Sequence, residues 1–190
     1  FMLSDRQVFG HMLQAISTVY HLYSHSVNVM TYSVALAEFS GYAASSTLRE
    51  IALGALLHDV GKSRIDAAIL SSPDALTAEE WSLMKQHPRF GYDMLVATRS
   101  VGEVALDIVL HHHENVRGDG YPDAIKGQGL SPFVRVVSIA DVFDALTTDR
   151  PWQASRNSFE ALSLMTSQIA VELDRDLFRS FVTLMGSLRP

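Results

Sequence analysis

Apolar residues along this chain recur at helical spacing. Val8, Met12, Ala15, Ile16, Val19 and Tyr23 form one stripe, and Leu48, Ile51, Ala52, Ala55 and Leu56 form a second. Val101, Val104, Ala105 and Ile108 mark a third helix, and Phe133, Val136, Val137, Ala140 and Phe143 a fourth. Recurrence at i, i+3, i+4 and i+7 is the mark of an amphipathic helix. Residues 161–171 and 177–185 read as two further amphipathic helices with no clustered chemistry. No alternating run is long enough to support a sheet, so the pattern predicts an all-α architecture.

Punctuation supports the same elements. Ser4-x-x-Gln7, Thr47-x-x-Glu50 and Thr77-x-x-Glu80 have the form of capping boxes. The last opens a helix carrying Trp81, Met84 and His87, and Pro88 is expected to break or kink it at His87. Gly41 and the Ser45-Ser46 pair separate the first two helices, which, packed antiparallel, would face His25 towards His58. Ser131-Pro132 reads as N-cap and first residue of the fourth helix. The run Gly118-Asp119-Gly120-Tyr121-Pro122 demands a tight turn, which would set Tyr121 on a loop.

The 190 residues are enough for one domain with a substantial core, so residues 1–190 are expected to form a single unit. Within it, 1–20 is read as an N-terminal helix, 21–153 as the region carrying the chemistry and 154–190 as structural helices. With 47% hydrophobic and 19% charged residues the composition is globular, and no stretch approaches the roughly 18 apolar residues of a membrane span. A net charge of −6 argues against a general nucleic-acid binder, so an anionic ligand would need local positive charge. There is no cysteine, which leaves histidines and carboxylates as the only metal ligands. The chain starts at Phe1 without a secretory signal. We therefore expect a cytoplasmic domain, and the start at Phe1 is compatible with excision from a longer protein, with an upstream sensor left open.

Candidate chemistry centres on His58-Asp59-Val60-Gly61-Lys62 at the end of the second helix. An imidazole nitrogen and a carboxylate suit a borderline divalent cation, and a carboxylate can bridge two. Gly61 would let the backbone turn, leaving Lys62 as a cation able to meet an anionic substrate. His21 and His25, at i and i+4, can share a metal or serve structure. His87, beside the predicted break, either points into a cleft or meets the helix dipole. In His111-His112-His113-Glu114, consecutive residues point about 100° apart. Two of those histidines can therefore serve two neighbouring metals while the third faces away, with Glu114 read as a partner orienting an imidazole. Asp141 lies among apolar residues, where a carboxylate needs a cation, a salt bridge or backbone donors. Arg150 could meet a phosphate or simply be solvated.

The ordered set His25, His58-Asp59-x-Gly61-Lys62, His87, His112-His113-Glu114, Gly120-Tyr121-Pro122 and Asp141-x-x-Asp144-Ala145-Leu146-Thr147 resembles the HD-GYP family. Members of that family are bacterial phosphodiesterases that degrade cyclic di-GMP, a branch of the HD metal-dependent phosphohydrolases. The resemblance implies a helical bundle of about seven or more helices with a metal centre in its core. It implies His25, His58, Asp59, His87, His112, His113 and Asp141 as ligands of two divalent ions, iron or manganese, with Asp59 bridging. Lys62 would contact the scissile phosphate, Tyr121 would belong to the signature loop, and Arg150 would hold another phosphate or a guanine. Where some members carry an extra carboxylate for a third metal, this chain has His21.

Two cations about 3.5 to 4 Å apart would supply a bridging hydroxide for in-line attack, giving pGpG and, in some members, GMP. Departures fall on substrate contacts: Arg117, Gln153 and Ser72 stand where an acidic, a basic and a Lys residue are common. Gln153 would weaken cyclic di-GMP binding, and Arg117 would compensate. Two alternatives differ in chemistry. One is a non-catalytic module that binds cyclic di-GMP or a GGDEF-type partner, and the other a phosphohydrolase of another nucleotide.

Overall fold

The computed structural model describes residues 6–72, 74–149 and 155–187, with side chains from residue 23 onward. Nine α-helices occur among these residues, and no strand. The 34-residue α1 (Arg6–Phe39) is followed by α2 (Ser45–Leu57), a 3-10 turn at Val60–Arg64, and the short α3 (Ala67–Leu70) and α4 (Ala78–Met84). Then come α5 (His87–Thr98), α6 (Glu103–His111), α7 (Pro132–Thr147), α8 (Ser158–Leu164) and α9 (Arg175–Ser187). Ser4 of the first capping box, Arg150 and Gln153 lie outside the described residues, and His21 lies in α1 where side chains are not described.

Helix α7 is the central rod. Val134, Val136, Val137, Ile139, Ala140 and Phe143 are all buried on it, as expected of a helix covered on several sides. Helix α1 packs along α2 and α7, and α2 packs on α6. Tyr32, Phe143 and Phe181 meet edge to face with centroids 5.1 to 6.2 Å apart, joining α1, α7 and α9. Ser131 caps α7 by accepting from the Phe133 N–H, with Pro132 as its first residue.

The Thr77–Glu80 capping box is formed in full, with Glu80 accepting from the Thr77 N–H at 2.8 Å. The Thr47–Glu50 box is not. Helix α2 starts earlier, after Ala44, and Glu50 reaches to α6 instead, accepting from the Ala105 N–H at 3.3 Å. A carboxylate there meets the positive end of a neighbouring helix. At Pro88 the chain does break, but His87 opens a new helix, α5, rather than closing α4. Proline is tolerated in a first turn, where its missing N–H has no partner to lose. Gly61 serves close approach more than turning: a Cβ there would lie 1.9 Å from the His87 carbonyl oxygen, so the 3-10 turn sits directly on α5.

Candidate metal centre

Seven side chains from α1, α5 and α7, and from the turns that end α2 and α6, converge at the middle of the bundle. Asp59, His87, His112 and His113 form one group with ligand atoms within 4.8 Å of one another, and His25, His58 and Asp141 form a second. Asp59 stands between them. Its Oδ1 lies 3.2 Å from His87 Nε2, while its Oδ2 lies 3.4 Å from His58 Nε2 and 3.8 Å from His25 Nε2.

Local helix geometry aims the rings. The Nδ1 atoms of His58, His87 and His112 donate to the carbonyls of Ala55, Met84 and Val109, each three residues back, at 2.7, 2.8 and 3.0 Å. A carbonyl only accepts, so Nδ1 carries the proton and Nε2 of the neutral ring is a bare acceptor. His25 also donates from Nδ1, to Asp144 Oδ2 at 2.7 Å, while Asn28 donates to Asp144 Oδ1 at 2.8 Å. Asp144 is 1% exposed and orients that imidazole.

Acceptors therefore face acceptors. His87 Nε2 and His112 Nε2 are 3.2 Å apart, and the His87 nitrogen is equally close to a carboxylate oxygen. His58 Nε2 and Asp59 Oδ1 are buried without a hydrogen-bond partner. Such an arrangement is costly unless a cation sits among the lone pairs. The donor set of five imidazoles and two carboxylates fits divalent metals of borderline hardness.

At His112 and His113 electrostatics point the same way. Burial, then the charge on neighbouring histidines, pushes the His112 imidazole well below its ordinary range, and burial takes His113 down to about 3. Both stay neutral, the form that ligates. Burial opposes charge on Asp59, but Lys62 and then His58 outweigh it and hold the carboxyl well below the usual range. Asp141 is lowered too, chiefly by its hydrogen bond to His25 working against burial. Burial also opposes protonation of His25, yet hydrogen bonds to Asp141 and Asp144 raise it to about 9. Lys62, 23% exposed in its side chain, donates to Asp59 Oδ2 at 2.6 Å.

The triple histidine divides otherwise than expected. His112 and His113 both turn to the Asp59 group instead of serving two groups, while His111 faces outward between Asp107 and Asp123 at 2.6 and 3.1 Å. Glu114 orients no imidazole. Its buried carboxylate accepts from the Asp123 and Ile125 N–H groups at 2.7 and 3.1 Å and so folds the loop that follows. That loop lays Tyr121 over His113, with centroids 4.7 Å apart and planes inclined by 30°. Burial and the nearby Asp141 and Asp59 raise the Tyr121 phenol, which stays a neutral donor. Arg117 is exposed and pairs with Asp119 at 2.9 Å. Sequence reasoning gave Asp144 no role, since its partner His25 lies 119 positions away.

A family model described as HD domain matches residues 12–177. A Pseudomonas aeruginosa protein named cyclic di-GMP phosphodiesterase is 37% identical over 166 residues, spanning 87% of this chain and 40% of that protein. A Vibrio cholerae protein named 3'3'-cGAMP-specific phosphodiesterase 2 is 38% identical over 134 residues, or 68% of this chain and 26% of that one. The chain thus spans less than half the length of these curated relatives. Among solved structures, a protein of Bdellovibrio bacteriovorus described as HDG"Y"P superposes with a TM-score of 0.73 at 24% identity, covering 87% of this chain and 52% of that one. That likeness concerns the fold.

Proposed function

This chain belongs to the HD domain family, and from that premise we propose that it is a metal-dependent phosphodiesterase domain that hydrolyses cyclic di-GMP to pGpG. A second cut would yield GMP. The observation that carries the reading is the buried Asp59 carboxylate, whose two oxygens face two separate imidazole groups. His25, His58 and Asp141 would hold one divalent ion, and His87, His112 and His113 another, with Asp59 shared. Iron or manganese suits this mixed nitrogen and oxygen set. Bound there, two cations would supply a nucleophile at neutral pH and would offset charge on the phosphoryl oxygens.

The chain's own residues complete the site. Lys62, at the edge of the centre, is poised to receive a phosphoryl oxygen as negative charge builds on it. Tyr121 keeps its proton and can donate a hydrogen bond to the substrate. Arg150 is assigned to the second phosphate or a guanine, and Arg117 to a weaker contact limited by its pairing with Asp119. In this reading the domain acts in the cytoplasm beside a GGDEF-type or other regulatory partner. Among the described residues no helix is long and apolar enough to cross a membrane.

Anaerobic incubation with cyclic di-GMP and ferrous or manganous ion, with products separated by chromatography, tests the proposal. Metal-dependent pGpG or GMP is expected; no product from a folded, metal-loaded chain would refute it. A second substrate has specific support in the Vibrio relative named for 3'3'-cGAMP. The metal-facing residues do not read a base, so 3'3'-cGAMP belongs in the same assay, and the larger kcat/KM decides between them.

A further inference from the structure

A cation held between two aromatic rings lies at the rim of the metal centre. The Lys85 ammonium is 5.7 Å from the Trp81 ring centroid and 5.6 Å from that of Tyr121. Tyr121 in turn lies on His113, within the Asp59 group. Trp81, Lys85, Tyr121 and His113 thus form a continuous line from solvent to the ligand atoms.

The outer end of that line is fixed in place. Trp81 follows directly on the Thr77–Glu80 capping box, which anchors the first turn of α4. The Lys85 N–H donates to the Trp81 carbonyl at 3.0 Å, and one residue before Lys85 the Met84 carbonyl accepts from His87. Helix α4 is therefore tied at its last turn to the metal-facing histidines.

What this end presents is unusual for a surface. A tryptophan is mostly buried on average, yet Trp81 is 47% exposed. Lys85 is exposed and forms no ion pair among the described residues, in a protein of net charge −6. An open indole face beside an unneutralised ammonium is complementary to a nucleotide, which offers a planar base and an anionic phosphate.

We propose that Trp81 and Lys85 form a nucleotide subsite for the half of the cyclic dinucleotide that is not being cut, the indole stacking its purine and the ammonium pairing with its phosphate. The assignment rests on the phosphodiesterase reading above. It gives that reading a base-contacting surface, which the metal-facing residues lack. Tyr121 would hold Lys85 from the inner side, so that the cation stands over the mouth.

Steady-state hydrolysis of cyclic di-GMP by the manganese-loaded chain tests it, comparing wild type with Trp81→Ala, Trp81→Phe and Lys85→Ala. Loss of one stacked base is expected to raise KM about tenfold in Trp81→Ala with kcat retained. Trp81→Phe should restore most of the loss, and Lys85→Ala should raise KM several-fold and flatten its dependence on salt. Metal content should equal wild type in all three. An unchanged KM in both alanine variants, with wild-type turnover intact, would overturn the subsite and leave the enzymatic reading standing. A fall in kcat or metal content in Trp81→Ala would also overturn it, by making Trp81 structural. Absence of hydrolysis by wild type itself would instead sink the phosphodiesterase reading, and the subsite with it.

Discussion

The candidate metal centre and the loop above it are built by different means. Inside, three imidazoles are aimed by carbonyls of their own chain three residues back, and a fourth by the buried Asp144. Above, residues 118–125 are shaped by the Glu114 carboxylate and by Asp123, which the half-exposed Arg89 holds at 3.2 Å and His111 at 3.1 Å. The interior geometry follows from where helices end, so it is reproduced whenever the helices form. The rim depends on tertiary contacts: the buried Glu114 carboxylate, and around it pairs near solvent that are each of modest strength. The candidate ligands are therefore placed by secondary structure, and the rim by contacts between distant parts of the chain.

Breaking the interior should have the largest effect. Asp59→Ala removes the carboxylate shared by both groups, and hydrolysis is expected to fall by at least about a thousandfold, with circular dichroism largely unchanged. Retained turnover would exclude the shared-carboxylate account. Asp144 comes next. Asp144→Ala frees the His25 ring and should weaken metal binding by about 10- to 100-fold, read by competition with a chelating dye. Asp144→Asn, which keeps an acceptor for His25 Nδ1, should fall between the two.

Changes to the rim should register first as stability. Glu114→Ala strands two N–H groups that now donate to a 1% exposed carboxylate, at a cost of about 1–3 kcal/mol in urea denaturation. Its metal content should match wild type, in contrast to Asp144→Ala. The smallest effect is expected far from the centre, at Asp174 and Arg135, whose pairing at 2.8 Å ties the start of α9 to α7. Burial works against ionised Asp174, but the Leu177 N–H and Arg135 hold its carboxyl below the ordinary value. A depressed carboxyl contributes stability that is present above its unfolded value near 3.9 and lost as pH falls through the folded one. Asp174→Asn should therefore cost less than about 1 kcal/mol at pH 7, and the difference from wild type should vanish in the acid range.

The sequence disclosed the interior far better than the rim, for a physical reason. Helix period and ligand type are local properties, so His58-Asp59 at the end of α2 and Asp141 within apolar α7 could be found without a partner in view. Glu114 and Asp144 stand in the motif without their partners in view, because Asp144 acts on a residue in α1 and Glu114 on backbone nine and eleven positions ahead. Glu50 misled for the same reason: its spacing from Thr47 suits a box within α2, yet the donor it finds is on α6. Helix α5 was missed because Pro88 signals an ending and a beginning equally well.

The two groups flanking Asp59 are expected to act as one binuclear centre. Its most direct test is the metal content of the folded chain, measured by mass spectrometry after chelation, anaerobic reloading with ferrous or manganous ion, and desalting. About two equivalents per chain are expected, dropping clearly in Asp59→Ala. A well-folded chain that retains less than one equivalent would contradict the account.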